Sequence, residues 1–195
     1  MLIRKAVLSD APALATCLLL AMDTILYRFI GQENYAQAEA FLLQFITQKN
    51  NQYSYQNCWV IQTESGVVAA ANVYDGAQLV ALRAPIIAYL KRHYHYSGVM
   101  EAETQPGEWY VDSLGVRVEA QGNGLGSQLL RFLIQKHVVD QQQTLGLLVD
   151  KANPEAKKLY LKLGFRIIRP TVLAGKPMEH LQIGPDFINL ASKLF

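Results

Sequence analysis

Apolar residues near the start of the chain recur every three or four positions, which is the period of an amphipathic helix. A short strand-like opening, "LIRK", comes first, and Pro12 stands in the first turn of the helical stretch, where proline is tolerated. The apolar face of this stretch consists of Leu14, Leu18, Met22 and Ile25. Residues 35–48 show the same period. The opening of the chain is therefore predicted to form one strand followed by two helices.

The pattern changes to strand-like runs at "CWVIQT" and "VVAAANVYD", which only three residues separate. Two such runs joined by so short a turn predict an antiparallel hairpin. The segment 76–106 then carries apolar residues at helical spacing, so we predict a helix within it. Pro85 is expected to start or kink that helix, because proline cannot donate a helical hydrogen bond. We interpret this segment as an insertion into the domain.

Strand-like and helix-like patterns alternate regularly after residue 106. The predicted elements are, in order, a strand at 109–116, a helix at 125–139, a strand at 144–149, a helix at 154–163, a strand at 165–168 and a last strand at "MEHLQI". Such alternation requires crossover connections and at least partly parallel pairing, whereas the earlier hairpin is antiparallel. We therefore predict one α/β domain with a mixed sheet over residues 1–195.

Composition narrows the class of protein. The chain has 195 residues, of which 51% are hydrophobic, and a formal net charge of +2, which is typical of a soluble globular protein. No dense Lys/Arg block predicts a nucleic-acid partner. The apolar stretch 11–22 is too short to span a bilayer, so no membrane is expected. The two cysteines, Cys17 and Cys58, have neither a disulfide pattern nor metal-ligand spacing, which favours a reducing cytoplasm.

The glycine-rich stretch "QGNGLG" lies between a predicted strand and a predicted helix. It is either a tight turn or a seat for a phosphate, because a helix start presents unpaired N–H groups and partial positive charge to an anion. The residues alone leave both interpretations open. The dinucleotide fingerprint fits poorly, since its glycine spacing differs and it belongs near the first strand. A nucleotide-hydrolysing loop would need a lysine after its last glycine, and none is present.

The spacing Gln121-x-x-Gly124-x-Gly126 resembles the [QR]-x-x-G-x-[GA] loop of the GNAT superfamily of acyl-CoA-dependent N-acyltransferases. "YVDSLGV" resembles the fourth strand of that family, "LLVDKANPEAKKLYLKLGF" its fifth strand and next helix, and "IRKAVLSDAPAL" its first strand and helix. The resemblance implies a mixed, mostly antiparallel sheet with a splayed central parallel strand pair, flanked by helices. It covers most of the chain and says least about 76–106.

The resemblance implies acetyl-CoA as co-substrate and assigns residues to it. Backbone amides of the loop would bind the pyrophosphate, and the strand around Gly115 would pair with the pantetheine arm. The implied contacts are Leu114, Gly115, Val116, Gln121, Gly122, Asn123, Gly124, Leu125, Gly126, Ser127 and Asn153. Alternatives remain at two of them: Gly115 could simply mark a strand bulge, and Asn153 could only cap the following helix.

Two side chains are the catalytic candidates. In the family, a tyrosine at the place of Tyr160 protonates the leaving thiolate, although an inward-facing aromatic is more commonly a core residue. Asp112 is the best candidate for the base, because it precedes the splay and shares strand parity with Leu114 and Val116. Its ordinary pKa of about 4 is too low, so burial or a relaying water would have to assist. If Asp112 is not the base, it binds substrate or caps a neighbouring backbone group. Tyr110 and Ser113 are weaker candidates.

The expected function is acetyl transfer to a primary amine by direct attack, since neither cysteine is placed for acyl-enzyme chemistry. The alternative is an acyl-CoA-binding regulatory or degenerate module without turnover. The expected partners are acetyl-CoA, an amine acceptor that the sequence does not identify and, as an open alternative, a second copy of the chain in a homodimer. No metal is expected, because His93 and His95 are two potential ligands without a third. Further residues that could line an acceptor cleft, or equally form a hydrated edge and core, are Tyr27, Arg28, Phe29, Glu33, Glu101 and Glu103.

Overall fold

A computed structural model of the protein describes residues 1–186, in which seven strands form one sheet. The last nine residues of the predicted domain lie outside the described part. The strands are β1 (Leu2–Lys5), β2 (Cys58–Thr63), β3 (Gly66–Asp75), β4 (Glu108–Val116), β5 (Thr144–Asp150), β6 (Arg166–Leu173) and β7 (Lys176–Ile183). The helices are α1 (Ala11–Ile30), α2 (Tyr35–Ile46), α3 (Leu79–Tyr94), α4 (Leu125–Leu133) and α5 (Pro154–Lys162).

The sheet order is β1-β2-β3-β4-β5-β7-β6. All neighbouring strands pair antiparallel except β4 and β5, which are parallel and are connected through α4. The predicted mixed α/β fold with one central parallel pair is confirmed. The hairpin of β2 and β3 is also confirmed, and β7 turns back from β6 to lie beside β5.

The parallel pair β4–β5 separates along its length. Its pairing begins at Glu108 with Thr144 and ends at Val111 with Leu147. Both strands continue past this point, β4 to Val116 and β5 to Asp150. The backbones therefore diverge and leave a wedge, as the predicted splay requires.

Strand β3 shows how the two faces of the sheet are covered. Side chains alternate between the faces of a strand. Ala70 packs into the cluster formed mainly by α1 and α2, whereas Ala69 and Ala71 pack into the cluster beneath α4. All three are fully buried, so this strand is covered on both sides and its small side chains let helices approach closely. The core consequently has two layers, one on each face.

Several helices and strands begin or end at residues other than those predicted. Helix α3 begins six residues before Pro85 and continues past it, so proline does not start the helix. The predicted helix 125–139 is α-helical only to Leu133 and then adopts π-helical geometry over Ile134–Asp140. Strand β6 extends to Leu173 rather than ending at 168. Helix α1 is interrupted at Met22, whose φ of −141° is not helical.

Within residues 1–186, no single helix is long and apolar enough to cross a membrane. The segments Leu8–Met22 and Thr24–Ile30 reach that length and composition only together, and they meet at an angle of 97°. Cys17 and Cys58 are both free and buried. The described residues also contain no group of three or more His, Cys, Asp or Glu side chains placed to hold a metal ion.

Candidate active site

A cleft of about 350 Å³ fills the wedge between β4 and β5. Residues 111–114 of β4 and 147–150 of β5 form two of its walls, and α1 and α5 contribute the others. A second, more open cleft lies beside the glycine-rich loop and shares Leu20, Leu114 and Ala156 with the first. The two clefts are therefore continuous, and one groove runs from the loop to the middle of the sheet.

The glycine-rich loop turns directly into the first turn of α4. Gly122 and Gly124 adopt left-handed conformations with φ of +79° and +72°, which favour glycine over residues with a Cβ. The Gln121 side chain donates to the Val116 carbonyl at 3.0 Å, and the Asn123 amide donates to the Ala120 carbonyl at 3.1 Å. Both side chains thus stabilise the turn by hydrogen bonds to nearby backbone carbonyls. The first N–H groups of α4 have no intrahelical acceptor, which leaves an anion seat at the end of the groove.

Gly115 is required by the close approach of a helix. A Cβ at this position would overlap the carbonyl of Cys17 in α1. Its pairing with Ala70 is regular, so the interpretation of Gly115 as a bulge is wrong. The group that approaches this glycine in the structure is the backbone of α1, and the approach of a pantetheine arm stays a prediction.

The strand bulge lies at Asp112 instead. On β3, the consecutive residues Asn72 and Val73 pair with Ser113 and Val111, so Asp112 is an extra residue in β4. A bulge redirects side chains and is common beside active sites. The parity predicted from the sequence is wrong for this reason. Leu114 and Val116 pack toward α4, whereas Asp112 hydrogen bonds to a polar cluster beside α3.

That polar cluster brings together side chains from five separate parts of the chain. The Gln52 amide donates to Asp112 Oδ1 at 3.0 Å and to Glu103 Oε1 at 2.7 Å. The Asn72 amide lies 3.4 Å from Asp112 Oδ2. Arg83 of α3 forms an ion pair with Glu103, and its Nε donates to Gln52 Oε1 at 3.1 Å. A carboxyl group at the wall of the cleft is thus embedded in a buried hydrogen-bond network.

Burial raises the pKa of Asp112 well above the ordinary value of an aspartate. The negative charge of Glu103 raises it further, while the hydrogen bond from Gln52 and the charge of Arg83 act in the opposite direction. A carboxyl group with a raised pKa is a better proton acceptor near neutral pH. The structure supplies the burial that a base at this position needs.

Helix α5 borders the opposite side of the groove. Asn153 is its N-cap, because the side-chain oxygen accepts from the Ala156 amide at 3.1 Å. The cap and a pantetheine contact are compatible, since Asn153 also lines the cleft. Tyr160 lines the cleft too, and its ring lies 6.0 Å from that of Phe165. Burial raises the pKa of Tyr160, so the phenol keeps its proton at neutral pH.

The other predicted candidates divide into those at the cleft and those away from it. Phe29, Tyr110, Ser113 and Glu103 line it, and Ser113 Oγ is buried with no hydrogen-bond partner among residues 1–186. Glu101 accepts from the Ala174 amide in the β6–β7 turn at 3.1 Å.

The remaining candidates, Tyr27, Arg28 and Glu33, do not line the cleft. His93 stacks on Tyr89 with ring centroids 4.2 Å apart, and His95 ends α3 with φ of +52°.

Sequence reasoning missed Gln52 and Arg83 entirely. Gln52 lies in a turn before β2, in a polar stretch that shows no periodicity, and Arg83 lies in the segment 76–106, about which the resemblance says least. The one available signal was an arginine among apolar residues in "LVALRAPII", a position where a buried cation needs a carboxylate partner.

One groove thus connects the start of a helix, where an anion is favoured, with a carboxyl group at the point where two parallel strands part. Residues 27–165 match the model of the acetyltransferase (GNAT) family. The chain therefore belongs to the GNAT acetyltransferase family. No curated protein sequence matches it.

Solved structures agree with this membership. The chain is 28% identical to an acetyltransferase of known structure, with a TM-score of 0.78 and coverage of 94% of this chain and 99% of the other. An N-acetyltransferase from Staphylococcus aureus Mu50 has a TM-score of 0.82 at 18% identity, covering 94% and 100% of the two chains. A variant of the spermidine N-acetyltransferase from Vibrio cholerae has a TM-score of 0.58 at 15% identity, covering 98% and 99%. The last two likenesses concern the fold alone.

Proposed function

We propose that the protein transfers an acetyl group from acetyl-CoA to a primary amine by direct nucleophilic attack. The observation that carries this proposal is the continuous groove, which connects the anion seat at α4 with the half-buried Asp112 in the splay. One end suits the phosphates of a coenzyme, and the other end suits a group that must lose a proton. Membership in the acetyltransferase family supports the same reaction class.

In this proposal, acetyl-CoA lies along the groove from the loop to the wedge. Its pyrophosphate accepts hydrogen bonds from the backbone amides of 121–127, where the helix dipole also favours negative charge. The pantetheine arm runs beside Leu114, Gly115 and Val116, whose backbone no longer pairs with β5. Asn153 lines the same cleft and is available as a further contact.

The reaction begins with removal of a proton from the ammonium group of the acceptor. Ionised Asp112 accepts that proton and later releases it to solvent. The nitrogen lone pair then attacks the thioester carbonyl carbon, the C–N bond forms, and the C–S bond breaks with its electron pair leaving on sulfur. Tyr160 donates its phenolic proton to the thiolate and regains one from the acylated nitrogen. The products are the N-acetyl amine and CoA thiol.

The charges of the cleft indicate which acceptors fit. Three carboxyl groups, Asp112, Glu103 and Asp150, line the cleft; Arg83 forms an ion pair with Glu103, and Lys176 forms one with Asp150. Asp112 has no such ion pair and, once it is ionised, attracts a positively charged head group. We therefore propose a small molecule or a peptide with a primary ammonium group as acceptor.

The test is an acceptor screen in which released CoA thiol is measured with acetyl-CoA and a panel of amines, amino sugars, amino acids and peptides. The proposal predicts thiol release with at least one amine and formation of its N-acetyl product by mass spectrometry. Calorimetry with acetyl-CoA is run in parallel. Tight acetyl-CoA binding without product on any amine would instead support the alternative of a binding module without turnover.

A further inference from the structure

The carboxyl group of Asp112 does not stand alone in the wedge. We propose that Asp112 and Glu103 form a carboxyl pair that holds one proton between them, with Glu103 as the positioning residue that sets when Asp112 becomes a base. The catalytic consequence rests on the proposed acetyl transfer to an amine. The pairing itself is a property of the free protein and can be tested without any substrate.

A single amide holds the two carboxyl groups next to each other. Gln52 Nε2 donates to Glu103 Oε1 at 2.7 Å and to Asp112 Oδ1 at 3.0 Å. Its own oxygen accepts from Arg83 Nε at 3.1 Å, which fixes the orientation of the amide. Gln52 can therefore bridge the pair only with its nitrogen toward both carboxyl groups.

The two carboxyl groups differ in the hydrogen bonds and opposite charges that stabilise their ionised forms. Glu103 Oε1 accepts from Gln52, from the Tyr74 hydroxyl at 3.2 Å and from Arg83 in an ion pair. The second oxygen of Asp112 has the long 3.4 Å contact with Asn72. Hydrogen bonds and an opposite charge favour the ionised form of the group that receives them. Glu103 is thus the ionised member, and Asp112 carries the proton.

The charges around the pair explain why one proton stays. Arg83 from α3 faces Asp112 as a cation, and Glu103, from the segment before β4, faces it as an anion. The other titratable groups that interact with Asp112 are Tyr53, Tyr74, Tyr110 and Cys58, and burial raises the pKa of each of them, so they remain neutral. One buried cation balances one carboxylate. A second adjacent carboxylate would be uncompensated, and like charges at such a site keep one proton bound.

The pair gives the segment 76–106 a role in the reaction. Arg83 and Glu103 both belong to this segment, and Arg83 Nη1 also donates to the Glu101 carbonyl at 2.8 Å. The resting pair must release its proton to solvent before Asp112 can accept one from the acceptor ammonium. Activity should therefore rise with pH as the pair loses its proton, and Glu103 determines where that rise occurs.

The direct test is a titration of carboxyl groups by nuclear magnetic resonance on protein labelled with ¹³C at aspartate and glutamate side chains. In the native sequence, the Asp112 signal should respond in two steps rather than in one independent step. In Glu103→Gln, the proton affinity of Asp112 should fall by about tenfold or more, since the adjacent negative charge is gone and Arg83 is left unpaired. Glu103→Asp keeps the charge and should preserve the raised affinity.

The matched control is Glu64→Gln, the same substitution at an exposed turn between β2 and β3. It should leave the Asp112 titration unchanged. Once an acceptor is known, the acidic limb of kcat/KM should move to lower pH in Glu103→Gln by the same factor as the titration, and stay in place in Glu64→Gln. A purely structural Glu103 would lower kcat without moving that limb.

Two results would overturn the pair. One is an Asp112 signal in the native sequence that titrates in a single step independent of Glu103, a measurement that needs no variant to fold. The other is an unchanged Asp112 proton affinity in folded Glu103→Gln. If the titrations behave as expected but no amine is acetylated, the pair stands and the proposed acetyl transfer fails, so the two ideas are separable.

Discussion

The two ends of the groove are built in different ways. We call them the donor end and the acceptor end, after the acetyl-CoA and the amine that we propose they bind. At the donor end, residues 114–127 form one continuous segment whose contacts come mainly from the backbone, and the conformation depends on glycines such as Gly122 and Gly124. At the acceptor end, the contacts come from side chains of Gln52, Asn72 and other residues up to 60 positions apart in sequence. The donor end is therefore encoded locally and the acceptor end only by the tertiary fold.

This difference indicates at which end of the groove a substitution can change substrate specificity. A backbone site for a coenzyme tolerates many changes of side chain, provided that glycine remains where a positive φ or a close approach requires it. A site made of side chains changes with each substitution, because a buried polar group that loses its partner costs about 1–3 kcal/mol. Substrate selection is thus more readily altered at the end that contains Asp112.

The largest expected effect is at the acceptor end. Asp112→Asn keeps the size of the side chain and removes the proton acceptor, so kcat/KM for the amine should fall by about 10²–10⁴-fold, the usual contribution of a positioned base. Acetyl-CoA affinity, measured by calorimetry, should change little, because the donor end is separate. The measurement is thiol release over a range of pH.

An Asp112→Asn protein with native turnover would show that water or another group accepts the proton. Loss of acetyl-CoA binding in the same variant would contradict the separation of the two ends. The control is Glu64→Gln, which changes the same number of charges at an exposed position and should retain full activity.

At the donor end, the strongest effect should come from a glycine and act on stability. In Gly115→Ala the new methyl group would overlap the Cys17 carbonyl, so α1 would have to move away from β4. Overpacking of this kind costs about 3 kcal/mol. Gly122→Ala is the matched substitution, since nothing lies within 4 Å of its Cβ position and only the φ of +79° is unfavourable, at about 1 kcal/mol. Urea unfolding of both variants measures the difference, and equal destabilisation would refute the role assigned to the α1 contact.

The same contrast determined what the sequence could predict. The mixed sheet, the parallel pair and the helix that Asn153 caps follow from local patterns, because periodicity and capping act over a few residues. The glycine-rich loop was also recognisable, since positive φ restricts residue choice locally. The cluster around Asp112 was only partly found: Asp112 and Glu103 were candidates, but nothing in the sequence showed that Gln52 and Arg83 join them.

Two local errors have physical causes. Pro85 was expected to start or kink α3, and it does not start it, because the helix begins at Leu79 and continues through the proline, whose neighbours Leu82 and Ile86 are buried, so that tertiary packing outweighs one lost hydrogen bond. The side-chain alternation assumed for β4 failed because one extra residue at Asp112 interrupts the pairing with β3. A bulge leaves no reliable mark in a single sequence, although it decides which way the Asp112 side chain points.

A smaller effect is expected where the two ends meet, at Tyr160. Removal of the hydroxyl in Tyr160→Phe leaves the packing against Phe165 intact and deletes the proton donor, so kcat should fall by about 10- to 100-fold. Binding of acetyl-CoA should stay the same. If turnover of a validated amine is unchanged, Tyr160 is a packing residue and the thiolate takes its proton from elsewhere. Tyr27→Phe, outside the cleft, is the control for the loss of a tyrosine hydroxyl.

The smallest expected effect separates the pH dependence of stability from that of activity. His137 lies beneath the sheet face covered by α4, stacked on Trp109 with ring centroids 4.6 Å apart. Burial, followed by the positive charge of Lys136, lowers the pKa of His137 from 6.5 to about 4. The unfolded chain therefore binds this proton at a higher pH than the folded protein does. Stability present above about pH 6.5 is lost as the pH falls toward 4.

Between pH 7 and pH 5 this linkage should reduce the free energy of unfolding by about 2 kcal/mol, which urea unfolding at the two pH values can measure. His137→Phe keeps an aromatic ring against Trp109 and removes the titrating group, so its stability should depend less on pH over this range. The acidic limb of its kcat/KM should remain where Asp112 and Glu103 set it. If that limb moved with His137, the acid response of the two sides of the sheet would be coupled, and the division between a locally built donor end and a separately controlled acceptor end would be wrong.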